Sequence, residues 1–135
     1  MKFPEYAIVQ LSSPREKKLE GAEKPLLSLV SAVAYIKRAA LHIGIDSFGN
    51  HTTNLLPRTK SVILWGSTAP TGSGYTHNIN IHKGLECSPC YKEYKHMSVD
   101  YMGECDNLVA GTHKCMYEIT VGEVFNQVVN CLGRG

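Results

Sequence analysis

Asp46-Ser47-Phe48-Gly49-Asn50-His51 puts an acid, a hydroxyl, a glycine, an amide and an imidazole into one short stretch. Such a set suits an anion, because sites in α/β sheets form outside the carboxyl ends of strands, where the N–H groups opening a helix lack intrahelical partners. The plainer reading makes Asp46 a helix cap and packs His51 inside the helix. A second group is sulfur. Cys87-x-x-Cys90 can present two thiolates to one tetrahedral ion, and Cys105 and Cys115 complete a four-sulfur zinc set, with His113 a substitute. A disulfide or redox pair and unligated packing thiols are the competing readings. The fifth cysteine, Cys131, falls on the last helical pattern and is expected to be buried.

Positioning the first group needs a strand, a turn, a short helix and a second strand. Leu41–Ile45 and Ser61–Gly66 are short apolar runs of strand type, and the residues between them suffice for two or three helical turns. Thr68 and Pro70 follow the second run and so stand beside the same crevice, with Gly72 to Tyr75 able to fold over a ligand; an ordinary surface loop is the alternative. Trp65 at the strand end reads as core before it reads as a nucleobase platform. Upstream, Tyr6–Leu11 reads as a strand and Leu29–Ala40 as a helix with Leu29, Val33, Ile36 and Ala40 on one face. The order strand, helix, strand, helix, strand implies a parallel sheet. Ser67–Gly84 is rich in Gly, Thr, Ser and Asn and reads as loop, and about 85–118 as a cysteine-bearing irregular excursion. Thr120 and Glu123 fit a capping box opening a terminal helix over about 120–132.

The 135 residues fit one domain. Apolar residues make up 43% and charged ones 19%, and no apolar run approaches a membrane span or a signal peptide, so a cytoplasmic chain is expected. A net charge of +2 with interspersed signs, and no aromatic-basic alternation, argues against nucleic acid.

Three blocks together carry a resemblance. AYIKRAALHIGIDSFGNH (34–51), VILWGSTAPTGSGYTHNIN (62–80) and Cys87-Ser88-Pro89-Cys90 with Cys105, Cys115-Met116 and the closing helix resemble the C-terminal part of glycosyltransferase family 9, the heptosyltransferase-like enzymes. The resemblance implies a Rossmann-like parallel sheet with flanking helices, the C-terminal half-domain of a GT-B fold. It also implies transfer of a sugar from a nucleotide diphosphate-sugar of the ADP-heptose type to a lipopolysaccharide or other glycan acceptor, without a cofactor, at the inner face of a bacterial inner membrane. By that resemblance Asp46 faces the sugar hydroxyls, Ser47 bonds a phosphate oxygen and His51 stands near the diphosphate, with Phe48, Gly49, Asn50 and Thr68 completing the donor site. Phe48 stands where the family usually has glycine and Gly49 follows, so the close backbone approach is expected to be shifted by one residue or weakened. The chain is read as a single, truncated donor-binding domain. The acceptor half and its catalytic base are expected on a partner chain, and no catalytic residue is assigned here. The alternative function is a non-catalytic, zinc-stabilised module that binds a nucleotide or a partner.

Overall fold

The computed structural model describes residues 3–56, 58–91 and 105–133. The chain divides into two compact units, Met1–Tyr35 and Ile36–Gly135, the division falling within helix α1 (Leu29–Arg38).

In the first unit the strand expected at Tyr6–Leu11 is absent. Among the described residues its one ladder contact is an isolated parallel bridge between Val9 and Glu23, closed by Gln10 N–H to the Glu23 carbonyl at 2.7 Å and Glu23 N–H to the Ile8 carbonyl at 2.8 Å. Tyr6, Ile8 and Leu11 are all exposed, so most of the strand-forming side chains stay outside the core. Strand propensity is mostly packing against neighbours, and without that it loses to local polar bonds. Gln10 supplies them: its side chain accepts from Leu19 N–H and donates to Ser12 Oγ and the Lys17 carbonyl.

The second unit is α/β. Strands β1 (Leu41–Ile45), β2 (Lys60–Trp65) and β3 (Ile79–His82) form a sheet in that order, both pairings parallel. Ile43 lies opposite Val62, and Val62 opposite Ile79. The arrangement is consistent with a Rossmann-like sheet, with α2 (Phe48–Asn54) as the β1–β2 crossover. β2 is central, and Val62, Ile63 and Trp65 have no exposed surface, as a strand covered on both faces requires. β3 replaces loop expected from the Gly- and Asn-rich composition of Ser67–Gly84; within it Asn80 is bonded to Trp65 and to the Tyr75 carbonyl. The rest of that segment holds the single turn α3 (Pro70–Ser73).

Beyond residue 84, the stretch 92–104 of the expected excursion lies outside the described residues. The remainder includes a hairpin of β4 (Leu108–Val109) and β5 (Thr112–His113), turned at Ala110 and Gly111, both with positive φ, then α4 (Lys114–Tyr117). Helix α5 (Val121–Leu132) opens with the Thr120–Glu123 capping box and sets Val124 and Val128 towards Ile43 and Leu64 across an open apolar groove of about 370 Å³. Lys60 Nζ closes the other end of α5 by donating to the Cys131 carbonyl at 2.8 Å, a cation at the negative end of the helix. Cys131 itself is half-buried. Among the described residues no helix is long and apolar enough to cross a membrane.

Glu123 ties this helix to the sheet. One carboxylate oxygen accepts from Lys83 Nζ just after β3, and the other accepts from Thr120 N–H and Oγ1. The Lys83 bond, then the two from Thr120, hold the carboxyl down to about 2 from an ordinary 4.5. Because the folded value lies below the unfolded one, the contribution is complete above the unfolded value and disappears as pH falls towards the folded one. The urea midpoint of wild type is therefore expected to exceed that of Glu123→Gln at neutral pH, the gap narrowing between about 4.5 and about 2. A gap that stays constant through that window would show that the ion pair contributes nothing.

Candidate functional site

The turn after β1 meets the segment after β2 at the carboxyl ends of the two strands. Asp46 links them, its Oδ2 accepting from Ser73 Oγ at 3.0 Å and its Oδ1 facing Asn50 Nδ2 at 3.4 Å. A carboxylate so occupied is not the helix cap. Ser47 takes the cap position of α2 with extended backbone, but its side chain makes no capping bond and is exposed. His51 is exposed too, not packed inside the helix, and its Nδ1 lies 2.9 Å from the Tyr75 hydroxyl. Two hydrogen bonds, Asp46 to Ser73 and His51 to Tyr75, thus brace one loop against the other.

Beneath them runs a buried polar network. Asn50 is wholly buried; its amide donates to the Ser73 carbonyl at 3.3 Å and its Oδ1 accepts from Asn78 Nδ2 at 2.8 Å. Asn78 Oδ1 in turn accepts from Ser61 Oγ on β2, and Thr53 Oγ1 donates to the Asn50 carbonyl at 2.9 Å. Asn80 accepts the indole N–H of Trp65 at 2.9 Å and donates to the Tyr75 carbonyl at 3.1 Å. Trp65 is thus core, as its type suggests, and its one polar group is satisfied.

Sequence reasoning passed over Ser61, Ser73, Asn78 and Asn80. The signal was the period-two alternation Asn78-Ile79-Asn80-Ile81, which marks a strand even among turn-forming residues.

Gly49 is required by a side chain on β1. A Cβ on Gly49 would stand 2.4 Å from His42 Nε2, and one on Gly44 2.7 Å from His42 Cε1. The His42 ring thus fills the gap between β1 and the first turn of α2, and Gly49 is there to admit it. Burial lowers the His42 pKa, and its Nδ1 is buried without a hydrogen bond among the described residues. Phe48 is exposed. Thr68 is buried just past β2.

The cysteine segments also gather near the end of β2. Cys90 N–H and Tyr91 N–H donate to the Ser67 carbonyl at 3.0 and 2.8 Å, and Ser88 Oγ donates to the Gly66 carbonyl. Cys115 Sγ lies 3.4 Å from where a Cβ on Gly66 would stand. Cys105 Sγ and Lys114 N–H reach the same carbonyl, that of Asn107, at 3.7 and 2.9 Å. Burial pushes the Cys115 thiol up, and the charges of Cys105 and Cys87 push it further. All five thiols are free. Among the described residues no group of three or more His, Cys, Asp or Glu is placed to hold a metal ion; His113 stands at the end of β5.

Comparison with protein-family models, with curated proteins and with solved structures gives no match.

The network makes Asn50 a hub whose removal strands several partners. Asn50→Ala leaves the Asn78 amide and the Ser73 carbonyl short of a buried partner, which costs about 1–3 kcal/mol for each group left unsatisfied. A loss of at least about 1 kcal/mol in urea unfolding is expected; a loss below about 0.5 kcal/mol would mean that water replaces the amide without penalty.

Proposed function

We propose that the second unit is the donor-binding part of a heptosyltransferase-like glycosyltransferase of family 9, with a GT-B arrangement completed by an acceptor half on a partner chain. The observation that carries this reading is the junction of the Asp46–His51 turn with the segment after β2, at the carboxyl ends of two adjacent parallel strands. That is the place where open α/β sheets bind nucleotides. The ligand is a nucleotide diphosphate-sugar of the ADP-heptose type and the acceptor a lipid A-core or other glycan at the inner membrane face.

In transfer without a bound metal, the departing diphosphate needs hydrogen-bond donors in place of a cation. Ser47, exposed and not engaged in capping, supplies a hydroxyl and His51 an imidazole, with Thr68, buried just past β2, the further group the resemblance assigns. Asp46, its carboxylate aligned by Ser73 and Asn50, accepts from sugar hydroxyls. Asn50 and Gly49 act through the fold: the first holds the turn to β3, the second lets α2 approach His42. The chain's own residues offer no assigned catalytic base.

Exposure of His51 separates ligand binding from stability. His51→Ala is expected to weaken ADP binding by about 1–3 kcal/mol, the range for a charge-assisted hydrogen bond. The urea midpoint is expected to stay nearly unchanged. Calorimetric titration of ADP into both proteins checks this, and an ADP affinity unchanged by the substitution removes His51 from the site.

The convergence of the segments bearing Cys87, Cys90, Cys105 and Cys115 supports the second reading, a zinc-stabilised binding module without transfer. Four thiols are the donor set of a structural zinc site, and Cys115, whose thiol burial pushes up and the charges of Cys105 and Cys87 push further, is a group a divalent cation would relieve. Holding one ion would require the sulfurs to close further than they do here. Protein purified without chelator is expected to carry about one equivalent of zinc on this reading, and less than about a tenth of an equivalent removes it.

A further inference from the structure

Tyr75 is fixed from three sides before it meets His51. Its carbonyl accepts from Asn78 N–H at 3.1 Å and from Asn80 Nδ2 at 3.1 Å, and Asn80 is itself bonded to the indole of the fully buried Trp65. Its ring stacks on His77 with centroids 5.9 Å apart and planes 24° apart. The phenol is therefore tied, through one amide, to the rigid centre of the sheet. It meets the His51 ring edge to face, at 5.9 Å and 89°, with its hydroxyl 2.9 Å from Nδ1. The Nε2 of His51, on an exposed residue, makes no hydrogen bond among the described residues.

We propose that Tyr75 is a positioning residue for His51: the phenol O–H donates to Nδ1 and holds the neutral imidazole as the Nε2–H tautomer, leaving Nε2–H as the donor to a diphosphate oxygen. The physical reason is that the bond made by one ring nitrogen decides what the other can do. A hydroxyl can donate or accept, but a neutral imidazole accepts at only one nitrogen, so a phenol donating to Nδ1 places the proton on Nε2. The orientation is set before any ligand arrives, which spares the ordering cost at binding. This inference rests on the donor-site reading for its ligand, but the tautomer and its dependence on Tyr75 belong to the free chain.

The test combines two readouts on the full chain. Long-range proton–nitrogen correlation spectra of the His51 ring, recorded in mildly alkaline buffer without ligand, report the tautomer, and ADP titration reports its use. Tyr75→Phe suits both, because it keeps the ring and the backbone carbonyl and removes only the hydroxyl; a urea melt checks that folding is retained. In wild type we expect the Nε2–H tautomer, with the Nδ1 resonance displaced by its hydrogen bond and the displacement lost in Tyr75→Phe. ADP affinity is expected to fall about three- to tenfold in Tyr75→Phe, and adding His51→Ala to it should weaken binding no further than His51→Ala alone. An Nδ1–H tautomer in wild type, or an Nδ1 resonance that Tyr75→Phe leaves in place, overturns the positioning role whatever ADP does. Wild type that binds ADP with an affinity indifferent to Tyr75→Phe overturns the use of that role in binding. Wild type that shows the expected tautomer but binds no ADP at millimolar concentration instead overturns the donor-site reading and the diphosphate with it.

Discussion

The amide of Asn50 is the contact on which the second unit's working end depends. It is buried without exposed surface and joins the turn after β1, through Asp46 four residues away, to the segment between β2 and β3, through Ser73 and Asn78, 23 and 28 residues away. An amide in that place has to be satisfied on both its donor and its acceptor side, because an unpaired polar group costs more there than a made bond contributes. That requirement fixes the register of both segments at once. It also explains why β3 can form although asparagine, a residue depleted in strands, stands just before it and within it: Asn78 and Asn80 bond to the core on either side of Ile79.

From this network the half-buried Asp46 and Tyr75 and the exposed His51 receive their positions. Asp46 is aligned by Asn50 and Ser73, Tyr75 by Asn80 and Asn78, and His51 by Tyr75. A rigid polar support under a few outward-facing polar side chains is how binding groups are usually held, since a site that must order itself loses affinity in doing so. The sulfur segments lean on the same strand end through Gly66 and Ser67, so the end of β2 organises both groups of residues.

The sequence made some of this legible and hid the rest for identifiable reasons. β1 and β2 are short apolar runs, and the cap of α5 is a spaced Thr–Glu pair, so local pattern suffices for each. Tyr6–Leu11 has equally strong local pattern but leaves Tyr6, Ile8 and Leu11 exposed, and only tertiary structure decides that. β3 was obscured by composition, although its alternation was present. The need for Gly49 could not be read locally at all, because its cause, the His42 ring, lies on the preceding strand and meets it only after folding. Asp46 and His51 were legible as a chemical pair, but their bonds to Ser73 and Tyr75 span 27 and 24 residues and follow from the parallel pairing of β2 with β1 and β3.

The central claim is that the junction of the two loops holds a nucleotide diphosphate, and backbone amide shifts followed during ADP titration test it most directly. A donor site there predicts the largest saturable shifts at Ser47–His51, Thr68 and Tyr75, with little change along α5 and the first unit. Saturable shifts confined to other residues, with Ser47–His51 unmoved, would contradict it.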